Sequence, residues 1–109
     1  MPDLVLGEFE QLVLLALTRL GGDAYGVSIA AEISARTGRD VSLGAVYKTL
    51  ERLEDKRLVA SRLGEPTPER GGRRKKHFRV ASSGQRALRQ SIAGLRNMAD
   101  GLESELRLP

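Results

Sequence analysis

The feature that most constrains the fold is a basic segment, residues 68–80 (PERGGRRKKHFRV), which follows three helical patterns. It holds six of the chain's 18 lysine and arginine side chains. Short strands are predicted on either side of its glycines, over residues 58–64 and 75–81. The prolines and glycines between the two strands indicate an open loop. The positive charge is therefore predicted on the tip and one arm of a β-hairpin.

Three helices are predicted before this hairpin, over residues 8–20, 24–37 and 41–58. In the first helix, residues 12–17 are apolar on every side, which is typical of a helix buried all round. One side would face its own core and the other a second subunit. Gly38 suits the C-terminal cap of the second helix, and Ser42 suits the N-cap of the third. The buried stripe of the third helix is predicted at three- and four-residue steps: Leu43, Val46, Leu50 and Leu53.

A final helix is predicted over residues 84–108, with a heptad pattern that indicates a coiled-coil seam. The seam consists of Leu88, Ile92, Leu95, Ala99, Leu102 and Leu106. Ala87, Gly94 and Gly101 form a second stripe of small residues, where a partner's backbone would approach closely. We expect these features to form a dimer interface; the alternative is a helix packed only against its own domain.

Three helices followed by a basic two-stranded hairpin predict a winged helix-turn-helix. The fold class is therefore mainly α with a small β-hairpin (α+β), completed by a C-terminal dimerisation helix. Residues 1–81 are expected to form the DNA-binding domain, and residues 82–109 the dimerisation helix. The third helix would enter the major groove of DNA, and the hairpin, or wing, would reach phosphates.

Composition and charge exclude several other classes. The 109-residue chain has no cysteine and one histidine, His77, so neither a metal site nor a cofactor is predicted. No converging set of catalytic groups indicates an enzyme. The first residues are acidic and no apolar run reaches about 18 residues, so we expect a cytoplasmic protein without a membrane span. Residues 48–79 carry eleven basic and five acidic side chains, a net charge of +6, which indicates an anionic partner.

Four segments in this order resemble the PadR family of bacterial transcriptional regulators: LGEFEQLVLLAL, AYGVSI, SLGAVYKTLERLEDKRLV and ERGGRRKKHFRV. The resemblance runs over residues 6–88 and implies a homodimeric, effector-responsive repressor of the subfamily with a single C-terminal helix. Such proteins often have threonine before the last helix, where this chain has Ala81. Ser82 or Ser83 is then expected to cap that helix; otherwise the helix loses on the order of 1 kcal/mol of stability.

Lys48 and Arg52 lie one turn apart on the exposed face predicted for the third helix. They would contact base edges or phosphates; alternatively they form intrahelical ion pairs with Glu51 and Asp55. The other residues of this segment that we expect at the DNA are Ser42, Gly44, Ala45, Tyr47 and Thr49. Ala45 would touch a thymine methyl group. Gly44 and Ala45 are otherwise indifferent surface residues, and Tyr47 either donates to a phosphate or packs beside Leu43.

On the wing, the expected DNA contacts are Arg70, Arg73, Arg74, Lys75 and Lys76. Tyr25 begins the second helix, whose backbone N–H groups would hold a phosphate. The alternative places Tyr25 against the first helix. His77 is expected to be a polar surface residue of the strand.

The predicted function is a repressor that binds double-stranded DNA as a homodimer. Two third helices about 34–36 Å apart imply an inverted-repeat operator. The effector implied by the resemblance, a small hydrophobic molecule, is expected between the first and last helices near Phe9, Val13, Leu95 and Met98. The alternative function is a protein–protein adaptor, in which the basic wing binds an acidic partner.

Overall fold

A computed structural model describes residues 5–65 and 74–109 of the chain. The elements are α1 (Glu8–Leu20), one 3₁₀ turn (Gly21–Asp23), α2 (Gly26–Thr37), α3 (Leu43–Asp55), β1 (Val59–Leu63), β2 (Lys76–Val80), α4 (Ser82–Ala99) and α5 (Glu103–Leu106). The two strands pair antiparallel, with Val59 opposite Val80 and Leu63 opposite Lys76. A mainly helical fold with one two-stranded hairpin after three helices is therefore confirmed.

One hydrophobic core joins α1, α2 and α3 to the hairpin and to the first turns of α4. Its largest fully buried side chains are Leu14, Ile29, Leu50, Leu53, Leu58, Val13 and Val46. Leu15 on α1 is exposed in the single chain, so the burial of this side of the helix by a second subunit stays a prediction. The buried stripe of α3 also differs from the prediction, because Leu43 at the first helical residue is 40% exposed and Thr49 takes a core position.

Local sequence signals account for the ends of α2 and α3. Gly38 has φ +73°, a left-handed conformation that glycine adopts without steric cost, and it ends α2 as predicted. The Oγ of Ser42 accepts a hydrogen bond from the N–H of Ala45 at 3.1 Å and so caps α3, also as predicted. At the start of α2, the Oγ of Ser28 accepts from the N–H of Tyr25 at 3.0 Å. The turn between α2 and α3 is thereby fixed at both of its ends.

The beginning of α4 is held by backbone contacts and not by a serine cap. Ala81 is the N-cap residue, and no side-chain bond caps the helix. Ser83 instead donates its hydroxyl to the carbonyl of Arg57 at 2.7 Å. A β-carbon on Gly84 would overlap the carbonyl oxygen of Leu58, so only glycine allows α4 to approach the hairpin this closely. The prediction that Ser82 or Ser83 caps this helix is therefore wrong.

The C-terminal segment is not one continuous helix, so the prediction of a helix over residues 84–108 is wrong. α4 ends at Ala99, and Asp100 leaves the helical conformation with ψ 128°. Gly101 follows with φ +86°, which places this glycine in a turn and not in the predicted helical stripe. The short α5 then begins at Glu103. Leu102 and Leu106 are therefore not on the same continuous helix as Leu88 to Ala99.

The part of the chain that the structure describes contains no helix that is both long and apolar enough to cross a membrane. The same residues contain no group of three or more histidine, cysteine or acidic side chains placed to hold a metal ion.

Candidate nucleic-acid interface

The face of α3 turned away from the core is the first part of the candidate interface. Gly44, Ala45, Lys48 and Arg52 are all exposed on it. A β-carbon on Gly44 would meet no atom within 4 Å, so this end of the helix offers a flat approach. Thr49, which we predicted at the DNA, is only 5% exposed and faces the core, and this prediction is therefore not supported.

Lys48 and Arg52 are available for a ligand. The four ion pairs formed within residues 5–65 and 74–109 do not include either residue. In particular, Lys48 does not pair with Glu51, and Arg52 does not pair with Asp55, within 4.0 Å. The intrahelical pairing that we considered as an alternative is therefore not formed, and neither charge is paired with a carboxylate of the described residues.

Tyr47 lies at the junction between α3 and the start of α2. A β-carbon on Gly26 would overlap the Tyr47 ring, so this contact requires glycine at position 26. The ring therefore packs against the beginning of α2. Tyr47 nevertheless stays partly exposed. The hydroxyl end of the ring lies against Gly26, so α2 and α3 are in direct contact at this edge.

Tyr25, the N-cap residue of α2, lies against the wing. It forms an isolated antiparallel bridge with His77, and the two rings are 5.6 Å apart. The Nζ of Lys75 lies 4.4 Å from the centre of the Tyr25 ring, within the range of a cation–π contact. Next to this bridge, the N–H of Phe78 donates to the carbonyl of Ala24 at 2.8 Å. The segment before α2 is therefore joined to β2 by one isolated bridge, beside the two-stranded sheet.

His77 is a half-buried strand residue whose Nδ1 lies 3.0 Å from the carbonyl oxygen of Gly22.

The cations on the described arm of the wing differ in whether a carboxylate pairs with them. Arg74 and Lys75 are exposed and form no ion pair with any described residue. The Nζ of Lys76 lies 3.4 Å from the carboxylate of Glu54 on α3, so its charge is partly compensated. Arg70 and Arg73, also predicted at the DNA, lie outside the described residues. Arg74 and Lys75 therefore have no carboxylate partner among the described residues, and the same holds for the exposed Arg62 and Arg79 on the strands.

Glu54 connects the recognition helix to the wing, a role that the sequence analysis missed. Its carboxylate accepts hydrogen bonds from Ser61 on β1 and from Lys76 on β2. The bond from Ser61 and the charge of Lys76 together lower the pKa of Glu54, against the opposing effect of burial. This residue therefore remains ionised at neutral pH and fixes the hairpin relative to α3.

Two carboxylates in the first turn of α1 hold the two ends of the α3 segment. Glu8 accepts from Arg39, in the turn before α3, at 2.7 Å, and Glu10 accepts from Lys56, directly after α3, at 2.9 Å. Burial opposes ionisation of Glu10, but its bonds from Lys56 and from a backbone N–H, with the charges of Lys56 and Arg52, lower its pKa.

The residues predicted for an effector do not all lie at one surface. Leu95 and Met98 line an open groove between α4 and the segment before α1, together with Val5, Leu6, Gln11, Gln90, Ser91 and Gly94. Val13 is fully buried, and Phe9 is half-buried against the core. Only the two α4 residues of the predicted set therefore face this groove.

Solved structures with known descriptions share this fold. A PadR family transcription regulator from hypervirulent Clostridium difficile R20291 is 25% identical, with a TM-score of 0.74, over 92% of this chain and 99% of that chain. A padr family transcriptional regulator from Eggerthella lenta DSM 2243 is 28% identical, with a TM-score of 0.66, over 94% and 88%. A PadR-like transcriptional regulator from Bacillus cereus strain ATCC 14579 is 18% identical, with a TM-score of 0.70, over 93% and 92%, and supports the fold alone. The winged helix-turn-helix is thereby confirmed.

The comparison with curated protein sequences returns no match. The sequence model of the family described as "Transcriptional regulator PadR-like family" matches residues 13–90. This range contains most of α1, all of α2 and α3, the hairpin and the first half of α4. Because the match extends over well more than half of the chain, the protein belongs to the PadR-like family of transcriptional regulators, which act by binding DNA.

Proposed function

We propose that this regulator is a repressor that binds an inverted-repeat operator as a homodimer. The observation that carries the proposal is the outer half of α4. Leu95 is 62% exposed and Met98 is 79% exposed, and Leu102, Leu106 and Leu108 after the turn are exposed as well. Large apolar side chains that the described chain leaves in water favour a second copy as their partner.

The same helix serves two purposes along its length. Ala87 and Leu88 are buried in the protomer's own core, and Ile92 packs against that core. The proposed dimer contacts are therefore concentrated in the outer part of the segment, although Leu88 and Ile92 also belong to the predicted seam. We propose residues 1–81 as the DNA-binding domain and residues 82–109 as the dimerisation segment, whose first two turns complete the core.

In this arrangement, each protomer places the exposed face of α3 in a major groove. The Lys48 and Arg52 side chains contact the DNA there, and Arg74 and Lys75 reach the phosphate backbone beside it. Two successive grooves on one side of the duplex lie about 34–36 Å apart, so a two-fold symmetric dimer requires an inverted repeat. The free positive charges described above support this mode of binding.

A small hydrophobic effector would bind at the groove beside Leu95 and Met98. Since this groove borders the proposed dimer contacts, an occupant would change the spacing of the two α3 helices. It does so only to the extent that it binds one spacing more tightly than the other.

The test measures affinity for a duplex from the protein's own promoter region and for a scrambled duplex, at two salt concentrations. Mass in solution is determined alongside. We expect a dimer that prefers the promoter duplex and lowers transcription from it in a purified system. Equal, weak binding to both duplexes would contradict the operator proposal. Absence of binding at low salt would favour the adaptor alternative, in which the wing binds an acidic protein.

The wing is tested by a double substitution, Arg74→Ala with Lys75→Ala. Removing two phosphate contacts should weaken binding to all sequences alike and flatten the slope of log K against log salt by about 2 for each bound protomer. The matched control removes two exposed arginines of α4, Arg86 and Arg89, and should leave the slope unchanged. An unchanged slope in the wing variant would place these cations away from the DNA.

A further inference from the structure

The exposed face of α3 carries acidic as well as basic side chains. Gly44, Lys48, Glu51 and Asp55 follow one another at steps of four, three and four residues, and all four are exposed. They form the stripe directly opposite the core residues of the helix. Glu51 therefore lies in the middle of the surface that the proposed function turns toward the base edges, about 10 Å along the helix from Gly44.

Glu51 has no partner in the described part of the free protein. No side-chain hydrogen bond and no ion pair involves it, although Lys48 and Asp55 are each about one turn away. Glu54 on the same helix is different, because Ser61 and Lys76 donate hydrogen bonds to its carboxylate. Glu51 borders the groove between α3 and the wing, which Tyr47, Glu54, Asp55, Lys76 and Phe78 also line. Its carboxylate is therefore free to meet a ligand.

A free carboxylate on this surface is costly unless the DNA offers it a donor. The phosphates repel it, and most groups on base edges in the major groove are acceptors. Guanine presents N7 and O6, thymine presents O4, and adenine places its acceptor N7 beside its amino group. Only cytosine presents an amino donor, N4, without an acceptor of its own beside it. A glutamate in this position therefore selects cytosine by accepting one hydrogen bond and by disfavouring the other three bases.

We infer that Glu51 is a specificity-determining residue that accepts a hydrogen bond from the N4 amino group of one cytosine in each half of the operator. The inference rests on the proposed placement of α3 in the major groove. It divides the exposed face into two roles: Lys48 and Arg52 supply affinity, and Glu51 reduces affinity for every duplex that lacks cytosine at its position.

The experiment selects binding sequences from a pool of randomised duplex DNA with the full chain, and compares wild type, Glu51→Gln, Glu51→Ala and Asp55→Asn. The wild type should enrich a motif with one fixed cytosine per half-site. Glu51→Gln should change that base to adenine, because a glutamine amide pairs with N6 and N7 of adenine. Glu51→Ala should leave the position undetermined and reduce the preference for cytosine by about tenfold or more.

Asp55→Asn is the matched control, because it removes one negative charge from the same face. It should raise affinity for all duplexes and leave the motif unchanged. The same behaviour from Glu51→Gln, with the cytosine retained, would overturn the inference and leave Glu51 a purely repulsive charge. A wild-type protein that enriches no motif would instead overturn the proposed operator binding itself. Because Glu51 is exposed, its variants should unfold at the wild-type temperature, which a thermal scan verifies.

Discussion

Replacing Glu10 with glutamine is expected to destabilise the fold and to loosen the position of α3. Glu10 is 6% exposed. One of its carboxylate oxygens accepts from the Nζ of Lys56 at 2.9 Å, and the other accepts from the N–H of Gly7 at 2.9 Å. The substitution keeps the shape of the side chain and an acceptor for Gly7, but it removes the charge that Lys56 faces.

The magnitude follows from the surroundings of the pair. A hydrogen bond to a charged group contributes about 1.5–3 kcal/mol, and breaking a fully buried ion pair costs about 3–5 kcal/mol. The Lys56 side chain is 32% exposed, so water recovers part of its solvation when the partner is lost. We therefore expect Glu10→Gln to lower the free energy of unfolding by about 1.5–2 kcal/mol at neutral pH. For a domain of this size, the melting temperature should fall by about 5–10 °C.

The dependence on pH has a definite sign. The pKa of Glu10 is lower in the folded protein than in the unfolded chain. The stability contributed by its ionisation is therefore fully present above the unfolded pKa, and it is lost as the pH falls through the folded pKa. The difference between wild type and Glu10→Gln should accordingly shrink as the pH is lowered from about 5 to about 3.

Urea denaturation at a fixed protein concentration measures both effects. A double-mutant cycle with Lys56→Gln should give a coupling energy of about 1 kcal/mol or more. The control is Glu8→Gln, because Glu8 forms an exposed pair with Arg39 and should contribute less than about 0.5 kcal/mol. Additive effects of Glu10→Gln and Lys56→Gln, or a variant whose stability depends on pH as the wild type's does, would refute the reasoning.

Two further predictions concern α4. Gly84→Ala should lower the free energy of unfolding by about 1–3 kcal/mol, since the added methyl group overlaps the Leu58 carbonyl and neither backbone can move freely. In Gly44→Ala the added methyl group meets no neighbouring atom, so the free energy of unfolding should rise by up to about 1 kcal/mol. Thermal and urea unfolding measure the change in each of these two variants. Leu95→Glu should convert the dimer to a protomer in a mass measurement, whereas Leu63→Glu, equally exposed but on the wing, should leave a dimer. A Leu95→Glu protein of unchanged mass would contradict the proposed interface.

The sequence alone determined the order of the three helices and two strands, and their bounds to within three residues. Hydrophobic periodicity and the cap residues Gly38 and Ser42 act within a few residues of themselves, so they can be read directly. The basic arm of the hairpin and the exposed Lys48 and Arg52 were predictable for the same reason. The family followed from four such local segments taken in order.

The tertiary structure decided the features that depend on contacts between distant parts of the chain. The ion pair of Glu10 with Lys56 spans 46 positions, and the contact that requires glycine at position 84 comes from the backbone of Leu58. Thr49 is buried, whereas Leu43 at the start of the same helix is 40% exposed. The difference depends on which other elements pack against each position. Periodicity identifies the faces of a helix, but burial and partners depend on what the rest of the chain places against each face.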